Sequence, residues 1–139
     1  MFECETVPRF SREEINEFFD EAKTLLESGE RTSIAQACEK LYKVTEEIIK
    51  ILAEEHLLEE WKEAEKIGRW TTPLLQRAVR KLRRCEGELI GSAWSDAWLL
   101  HTSGFHENQL GAEEVLDYMD TIRKLVTWFH RRATSPLCS

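Results

Sequence analysis

Apolar residues recur every three or four positions through most of this chain, a spacing typical of amphipathic α-helices. The clearest run predicts one long helix with a continuous apolar seam, formed by Ile34, Ala37, Leu41, Val44, Ile48 and Ile51. Such a seam is typical of a helix that packs nearly antiparallel to its neighbours. Short connections between the predicted helices favour an all-α, up-and-down bundle of about five helices.

Capping signals predict where the first two helices begin and end. Ser11 and Glu14 form a capping box at the start of the first helix, and Gly29 follows its last turn. Ser33 with Gln36 offers a second capping box at the start of the long helix. The acidic residues of the long helix are predicted to form a solvated face, comprising Glu46, Glu47, Glu54 and Glu55.

The second half of the chain predicts further helices. A short helix is expected at residues 57–68, and Thr72 with Pro73 is the predicted N-cap and first residue of the next. Residues 103–108 are expected to form a loop, and the last helix spans about residues 112–132. Between these lies a helical stripe at Ile90, Trp94, Ala97, Trp98 and His101.

The 139 residues are predicted to form a single domain, with flexible termini at about 1–9 and 133–139. Apolar residues make up 42% and charged residues 32%, a balance typical of globular rather than disordered proteins. No apolar run approaches the ~20 residues that cross a bilayer, and the start of the chain lacks a signal-peptide pattern. We therefore expect no membrane association and a cytoplasmic location.

Four cysteines are present, and none of them stands at metal-ligand spacing. Cys38 lies inside an apolar helical pattern and is predicted to be a small core residue. Cys4 and Cys138 lie near opposite ends and could pair with each other, or across a dimer. Four free thiols, including Cys85, are the interpretation that suits an ordinary cytosol.

Charge is unevenly distributed in this chain, whose formal net charge is −7. Residues 1–30 hold nine acids and three bases, whereas residues 66–84 hold seven bases and no acid. The basic stripe either pairs with the acidic first helix or a partner subunit, or it binds phosphate. The candidates for phosphate binding are Arg77, Arg80, Lys81 and Arg84.

Polar and aromatic side chains are concentrated at residues 93–107. His101, His106 and the adjacent Glu107 are residue types that bind transition metals or move protons. Their spacing is not a recognised zinc motif, because ligands on one helix face stand four residues apart. We favour a helix end at which His101 bonds terminal carbonyl groups, so no metal and no cofactor are predicted.

Function is expected where the chain departs from a simple bundle pattern. The favoured hypothesis is a non-catalytic module that binds a partner protein, a nucleotide or a nucleic acid. Binding is expected near the two predicted connections, around Trp70 and around Gly104. Its candidate ligand-binding residues are Arg69, Trp70, Trp98, His101, His106 and Glu107.

An alternative hypothesis concerns the last helix. Arg123 and His130 stand seven residues apart, nearly two turns, so both project from one face. The arginine could hold a phosphate while the histidine acts as an acid or base on RNA.

Three segments resemble those of the archaeal PaREP family and occur in the same order. Residues 39–53 resemble the second helix of that family, and the Gly-Arg-Trp-Thr sequence at 68–71 resembles its next connection. The third match is Ala-Trp-Leu-Leu-His at 97–101, followed by Gly-Phe-His-Glu at 104–107. The resemblance covers most of residues 11–130.

This resemblance implies a place in the HEPN-like superfamily of up-and-down helical bundles, which are often homodimers. Some members of that superfamily are metal-independent ribonucleases that use an arginine and a histidine. Arg123 and His130, with six residues between them, fit the outer limit of the spacing that these enzymes use. The resemblance therefore implies a homodimer, with ribonuclease activity as the alternative to simple binding.

Overall fold

The computed structural model describes residues 9–132 and residue 138. In that part of the chain, six α-helices and one π-helical segment account for the regular structure, and there is no strand. The all-α prediction is confirmed, with six α-helices rather than about five. In chain order they are α1 (Arg12–Ser28), α2 (Arg31–Glu55), α3 (Glu59–Ile67), α4 (Thr72–Glu86), α5 (Glu88–Leu99), the π-helical segment (Leu100–His106) and α6 (Ala112–Arg131).

The termini that were expected to be flexible are only partly described. Residues 1–8, 133–137 and 139 lie outside the described residues, and Cys4 is among them. Within the described residues, no helix is both long enough and apolar enough to cross a bilayer.

The first helix begins and ends as the sequence predicts. The N–H of Glu14 donates to Oγ of Ser11 at 3.1 Å, and the N–H of Ser11 donates to the Glu14 carboxylate at 2.9 Å. Gly29 ends the helix with a φ of 70°, a left-handed conformation that glycine adopts without a Cβ clash. The capping box therefore satisfies two backbone groups that α1 itself leaves without partners.

Two predicted helix starts are wrong, by three residues for α2 and by one residue for α4. Ser33 lies inside α2, because the chain turns at Gly29 and Glu30 already takes the extended N-cap conformation. Thr71, not Thr72, caps α4: its hydroxyl accepts a 3.3 Å hydrogen bond from the N–H of Leu74. The proline that follows then occupies the second helical position, where its missing N–H has no intrahelical partner to lose.

The long helix α2 is the centre of the bundle. Helix α1 runs antiparallel to it, because Phe10 lies beside Glu47 while Glu21 pairs with Lys40 farther along. Helix α6 runs in the same direction as α2, because the residue that follows α6 pairs with Glu55 at the far end of α2. Helices α1 and α2 therefore form an antiparallel pair, and α6 is parallel to α2.

The apolar seam of α2 lies in the core, as predicted, although Ile51 is only partly buried. Glu47 is the exception to the predicted solvated face, since only 2% of its side chain is exposed. Its carboxylate accepts the backbone N–H of Phe10 at 3.0 Å and pairs with Lys50 at 2.8 Å. These partners compensate the charge that burial would otherwise leave in a poorly polar environment.

The prediction of four free thiols is wrong, because Cys85 and Cys138 form a disulfide. Their Cα atoms are 5.7 Å apart although 53 positions separate them in sequence. The disulfide places Cys138 beside the end of α4. Cys38 is a buried free cysteine, which confirms its prediction as a core residue.

Candidate functional site

Helix α5 does not lead into the loop predicted at residues 103–108 but widens into the π-helical segment. A π-helix joins residues five apart, as in the 2.9 Å bond from the N–H of Glu107 to the carbonyl of Thr102. Side chains five residues apart can then face each other, and Nε2 of His106 lies 3.3 Å from Nε2 of His101. An α-helix, with 3.6 residues per turn, would point these two rings in different directions.

Side chains of α2 hold the ring of His101. Its Nδ1 lies 2.8 Å from the carboxylate of Glu39, and its ring stacks on Tyr42 with centroids 4.1 Å apart. The carboxylate accepts a hydrogen bond from Nδ1–H, which leaves Nε2 facing His106. This corrects the expectation that His101 bonds carbonyl groups at a helix end. Burial, followed by the charge of Glu46, raises the pKa of Tyr42, so the stacked ring stays neutral.

Gly104 allows the π-helical segment to pack directly on α2. A Cβ at this position would lie 2.5 Å from Sγ of Cys38 and 2.9 Å from its Cβ. Burial raises the pKa of the Cys38 thiol to about 12. Because the thiolate is the reactive form, Cys38 serves as a packing residue and not as a nucleophile.

The candidate ligand-binding residues fall in two parts of the fold. Tyr42, Trp98, His101 and His106 form a ring cluster, in which the centroid of Trp98 lies 5.5 Å from that of His101. Glu107 is exposed just after the π-helical segment. Arg69 and Trp70 lie in the connection between α3 and α4, where Arg69 is exposed and Trp70 packs against the core. The contacts of the ring cluster thus come from α2, α5 and the π-helical segment.

One face of α4 forms a concave basic surface with a cavity of about 400 Å³. We call it the basic groove, and it is lined by Arg77, Arg80, Lys81, Arg83 and Arg84. The sequence predicted four of these residues as phosphate-binding candidates and missed Arg83. Because every lining residue is a cation, the groove attracts anions.

The acids that pair with the basic groove come from α3 and α5, and not from the acidic α1 that the sequence suggested. Glu88 of α5 lies 3.7 Å from Nε of Arg83. Glu60 is buried and lies 2.9 Å from Nζ of Lys81 and 3.8 Å from Nε of Arg77. Arg80 and Arg84 are exposed and form no ion pair with any described residue. These two guanidinium groups are therefore the ones open to an external anion.

Arg123 and His130 lie near different parts of α1, Arg123 beside Phe19 and His130 close enough to Arg12 to feel its charge. Arg123 lies 5.7 Å from the ring centroid of Phe19 and bonds Asp120 at 3.3 Å. Nε2 of His130 is buried without a hydrogen-bond partner among the described residues. Burial, and next the charge of Arg12, lower the pKa of His130, which favours the neutral imidazole. The cavity beside Arg123 is not lined by His130, and the ribonuclease hypothesis stays a prediction.

The sequence profile of the archaeal PaREP1/PaREP8 family matches residues 10–126. The chain belongs to this family. The matched region contains the basic groove, the ring cluster around His101 and most of α6 including Arg123, whereas His130 and Cys138 lie beyond it.

Solved structures of similar proteins share this fold. A crystal structure of a Sulfolobus solfataricus protein is 35% identical, with a TM-score of 0.72, and the match covers 88% of this chain and 97% of that chain. A solution structure of the same structural-genomics target is 38% identical, with a TM-score of 0.69 and coverages of 83% and 87%. Comparison with curated proteins gives no match.

In this PaREP1/PaREP8 chain, sequence reasoning missed a second polar cluster at the other end of α2. His56 is buried there beside the Cys85–Cys138 disulfide, and its Nε2 lies 2.8 Å from the carboxylate of Glu86. It also missed Glu39, the partner of His101. No local spacing could have revealed these contacts, because each joins residues at least 30 positions apart.

Proposed function

We propose that this PaREP1/PaREP8 chain is a non-catalytic module that binds the phosphate backbone of a nucleic acid through the basic groove. The observation that carries the proposal is that five cations and no acid line one concave surface of α4. A nucleic-acid strand carries closely spaced charges, and a row of cations on one helix face offers several of them a partner at once.

Arg80 and Arg84 are the main contacts in this proposal. They stand four residues apart, so their guanidinium groups project from the same face about one turn apart. Each guanidinium can bind a phosphate through two parallel N–H donors. Lys81 and Arg77 share the single carboxylate of Glu60, so the groove keeps an excess of positive charge.

The acidity of the rest of the chain supports a directed rather than a general attraction. The formal net charge is −7, so most other faces repel a polyanion while the basic groove attracts it. Such a field orients the encounter and makes binding depend strongly on salt.

We further propose that the protein is a HEPN-like homodimer, which is what the sequence resemblance implies. Two copies would present two basic grooves to one strand, which raises the overall affinity without any new contact if both are engaged together. Sedimentation equilibrium of the protein without nucleic acid gives its oligomeric state.

The proposal is tested by fluorescence anisotropy with labelled single-stranded and double-stranded RNA over a series of KCl concentrations. We expect binding that weakens as salt rises. For a double Arg80→Gln and Arg84→Gln variant, we expect weaker binding. The slope of log K against log salt should become less negative by about 1.4 to 1.8, the contribution of two phosphate contacts.

The matched control removes two exposed cations elsewhere, as a double Lys23→Gln and Lys124→Gln variant. It has the same net charge as the groove variant and should bind nearly as well as the unmodified protein. Equal weakening in both variants would show that only the overall charge matters, and absence of salt-dependent binding in the unmodified protein would overturn the proposal.

A further inference from the structure

Three side chains with metal-binding atoms meet where the ends of α2 and α4 approach the C-terminal tail. One ligand atom from each of His56, Cys85 and Cys138 lies within 4.8 Å of the other two. His56 is buried, Cys138 is partly buried and Cys85 is exposed, so the cluster is open on one side. Two cysteine sulfurs and one imidazole nitrogen form a donor set that suits Zn²⁺.

The hydrogen bonds of His56 orient it as a metal ligand. Its Nδ1 accepts a 2.9 Å hydrogen bond from the backbone N–H of Cys138, so the ring proton resides on Nε2. Nε2 donates that proton to Glu86 at 2.8 Å. A carboxylate behind the imidazole fixes the tautomer and makes the other nitrogen a better donor to a metal, as in many zinc sites.

The carboxylate behind His56 is itself held in place. Arg132 donates to Glu86 at 2.6 Å and to Glu55 at 2.7 Å. The side chains of Glu86 and Arg132 are only 5% and 7% exposed. The guanidinium group of Arg132 thus holds the Glu86 carboxylate in position to accept the hydrogen bond from Nε2.

We propose that the reduced protein binds one Zn²⁺ through Sγ of Cys85, Sγ of Cys138 and Nδ1 of His56. The disulfide form cannot do so, because each sulfur is bonded to the other. Two molecules of a small thiol convert the disulfide to two thiols and are joined in a disulfide of their own. Zn²⁺ then displaces one proton from each thiol, and its bond to Nδ1 replaces the hydrogen bond from Cys138.

A fourth ligand is available at this site. A cavity of about 450 Å³ is lined by all three ligand residues and also by Glu59 and Lys81. Tetrahedral Zn²⁺ with Zn–S bonds of about 2.3 Å accepts a water or a carboxylate as its fourth ligand. The two basic residues in the lining, Lys81 and Arg84, would favour an anionic ligand at that position.

Co²⁺ is the spectroscopic probe for the test. The full chain is reduced with a phosphine under inert gas, its fold is checked by circular dichroism, and Co²⁺ is added. We expect one equivalent to produce a thiolate-to-metal charge-transfer band and the intense visible bands of tetrahedral cobalt, both of which Zn²⁺ should abolish. The oxidised protein should show neither band.

Variants distinguish metal binding at this site from metal binding by other thiols of the chain. Cys85→Ser and Cys138→Ser should each lose the tetrahedral spectrum, whereas Cys4→Ser and Cys38→Ala should keep it. Glu86→Gln should weaken Zn²⁺ binding by about 10-fold to 100-fold, because the carboxylate behind His56 is lost. Failure of the folded, reduced protein to bind stoichiometric Co²⁺, or equal binding by Cys85→Ser, would overturn the proposal.

Discussion

Gly104 is the residue at which the packing of the π-helical segment on α2 is most easily tested. We expect Gly104→Ala to lower the free energy of unfolding by about 1 to 3 kcal/mol, because the new methyl group overlaps the buried side chain of Cys38. Urea unfolding followed by circular dichroism measures this loss. Adding Cys38→Ala should recover part of it, since the closest sulfur contact is then removed.

Gly91 provides the control for this substitution. A Cβ at Gly91 would meet only the flexible side chain of Arg83, which can move aside. Gly91→Ala should therefore leave stability unchanged or raise it by up to about 1 kcal/mol, through the better helix propensity of alanine. If both glycine variants lost the same stability, the contact with Cys38 would not be the cause.

For single residues, the sequence predicts which side chains are buried better than it predicts which side chains contact one another. Cys38 was placed in the core because it lies in an apolar pattern, and patterns of this kind report which face is buried. The pairing of His101 with His106 was not predicted, because residues five apart meet only when the backbone takes π-helical hydrogen bonds. Whether the backbone forms π-helical hydrogen bonds depends on how the segment packs against α2, and no local sequence pattern indicates this.

Among the helices, α4 offers the most direct test of a cap. Thr71→Ala removes the hydroxyl that accepts the N–H of Leu74, so we expect it to lower the free energy of unfolding by about 1 kcal/mol. Chemical denaturation of the two proteins at one temperature measures the difference.

Thr72→Ala is the matched control, because this exposed neighbour occupies the first helical position instead of the cap. It should change stability by a few tenths of a kcal/mol at most. The reverse order, with the larger loss at Thr72, would restore the cap that the sequence suggested.

The sequence predicted most of the helices but did not predict all of their first residues. The apolar period identified the helices, and the capping box at Ser11 fixed the start of α1. Two adjacent threonines before a proline gave two possible caps for α4, and only the backbone conformation at Thr71 decides between them. The phosphate-binding candidates followed from charge alone, because residues 66–84 hold seven bases and no acid, whereas the groove itself was not predicted.

For the molecule as a whole, the Cys85–Cys138 disulfide is the largest single constraint on the unfolded chain. Closing a loop with a sequence separation of 53 residues contributes about 4 kcal/mol in the chain-entropy description. We expect Cys85→Ser to lower the free energy of unfolding by up to about that amount, as measured by urea denaturation without reductant.

If the disulfide bond, rather than either side chain, causes the loss of stability, the losses in the single variants should not add in the double variant. Cys138→Ser and the double variant should each match Cys85→Ser, and reductant should destabilise only the unmodified protein. Losses that add up in the double variant would contradict this account. The sequence could not predict the pairing, because four cysteines allow several pairings and the return of the tail is a tertiary property.

The far end of α2 also receives both ends of the described chain. Arg9 pairs with Glu54, while the backbone of Cys138 bonds the ring of His56 two positions farther on. A group attached at residue 9 or at residue 138 would therefore start from the same corner of the bundle. That corner adjoins Lys81 and Arg84, so a ligand tethered at either of these residues would reach the basic groove at a high effective concentration.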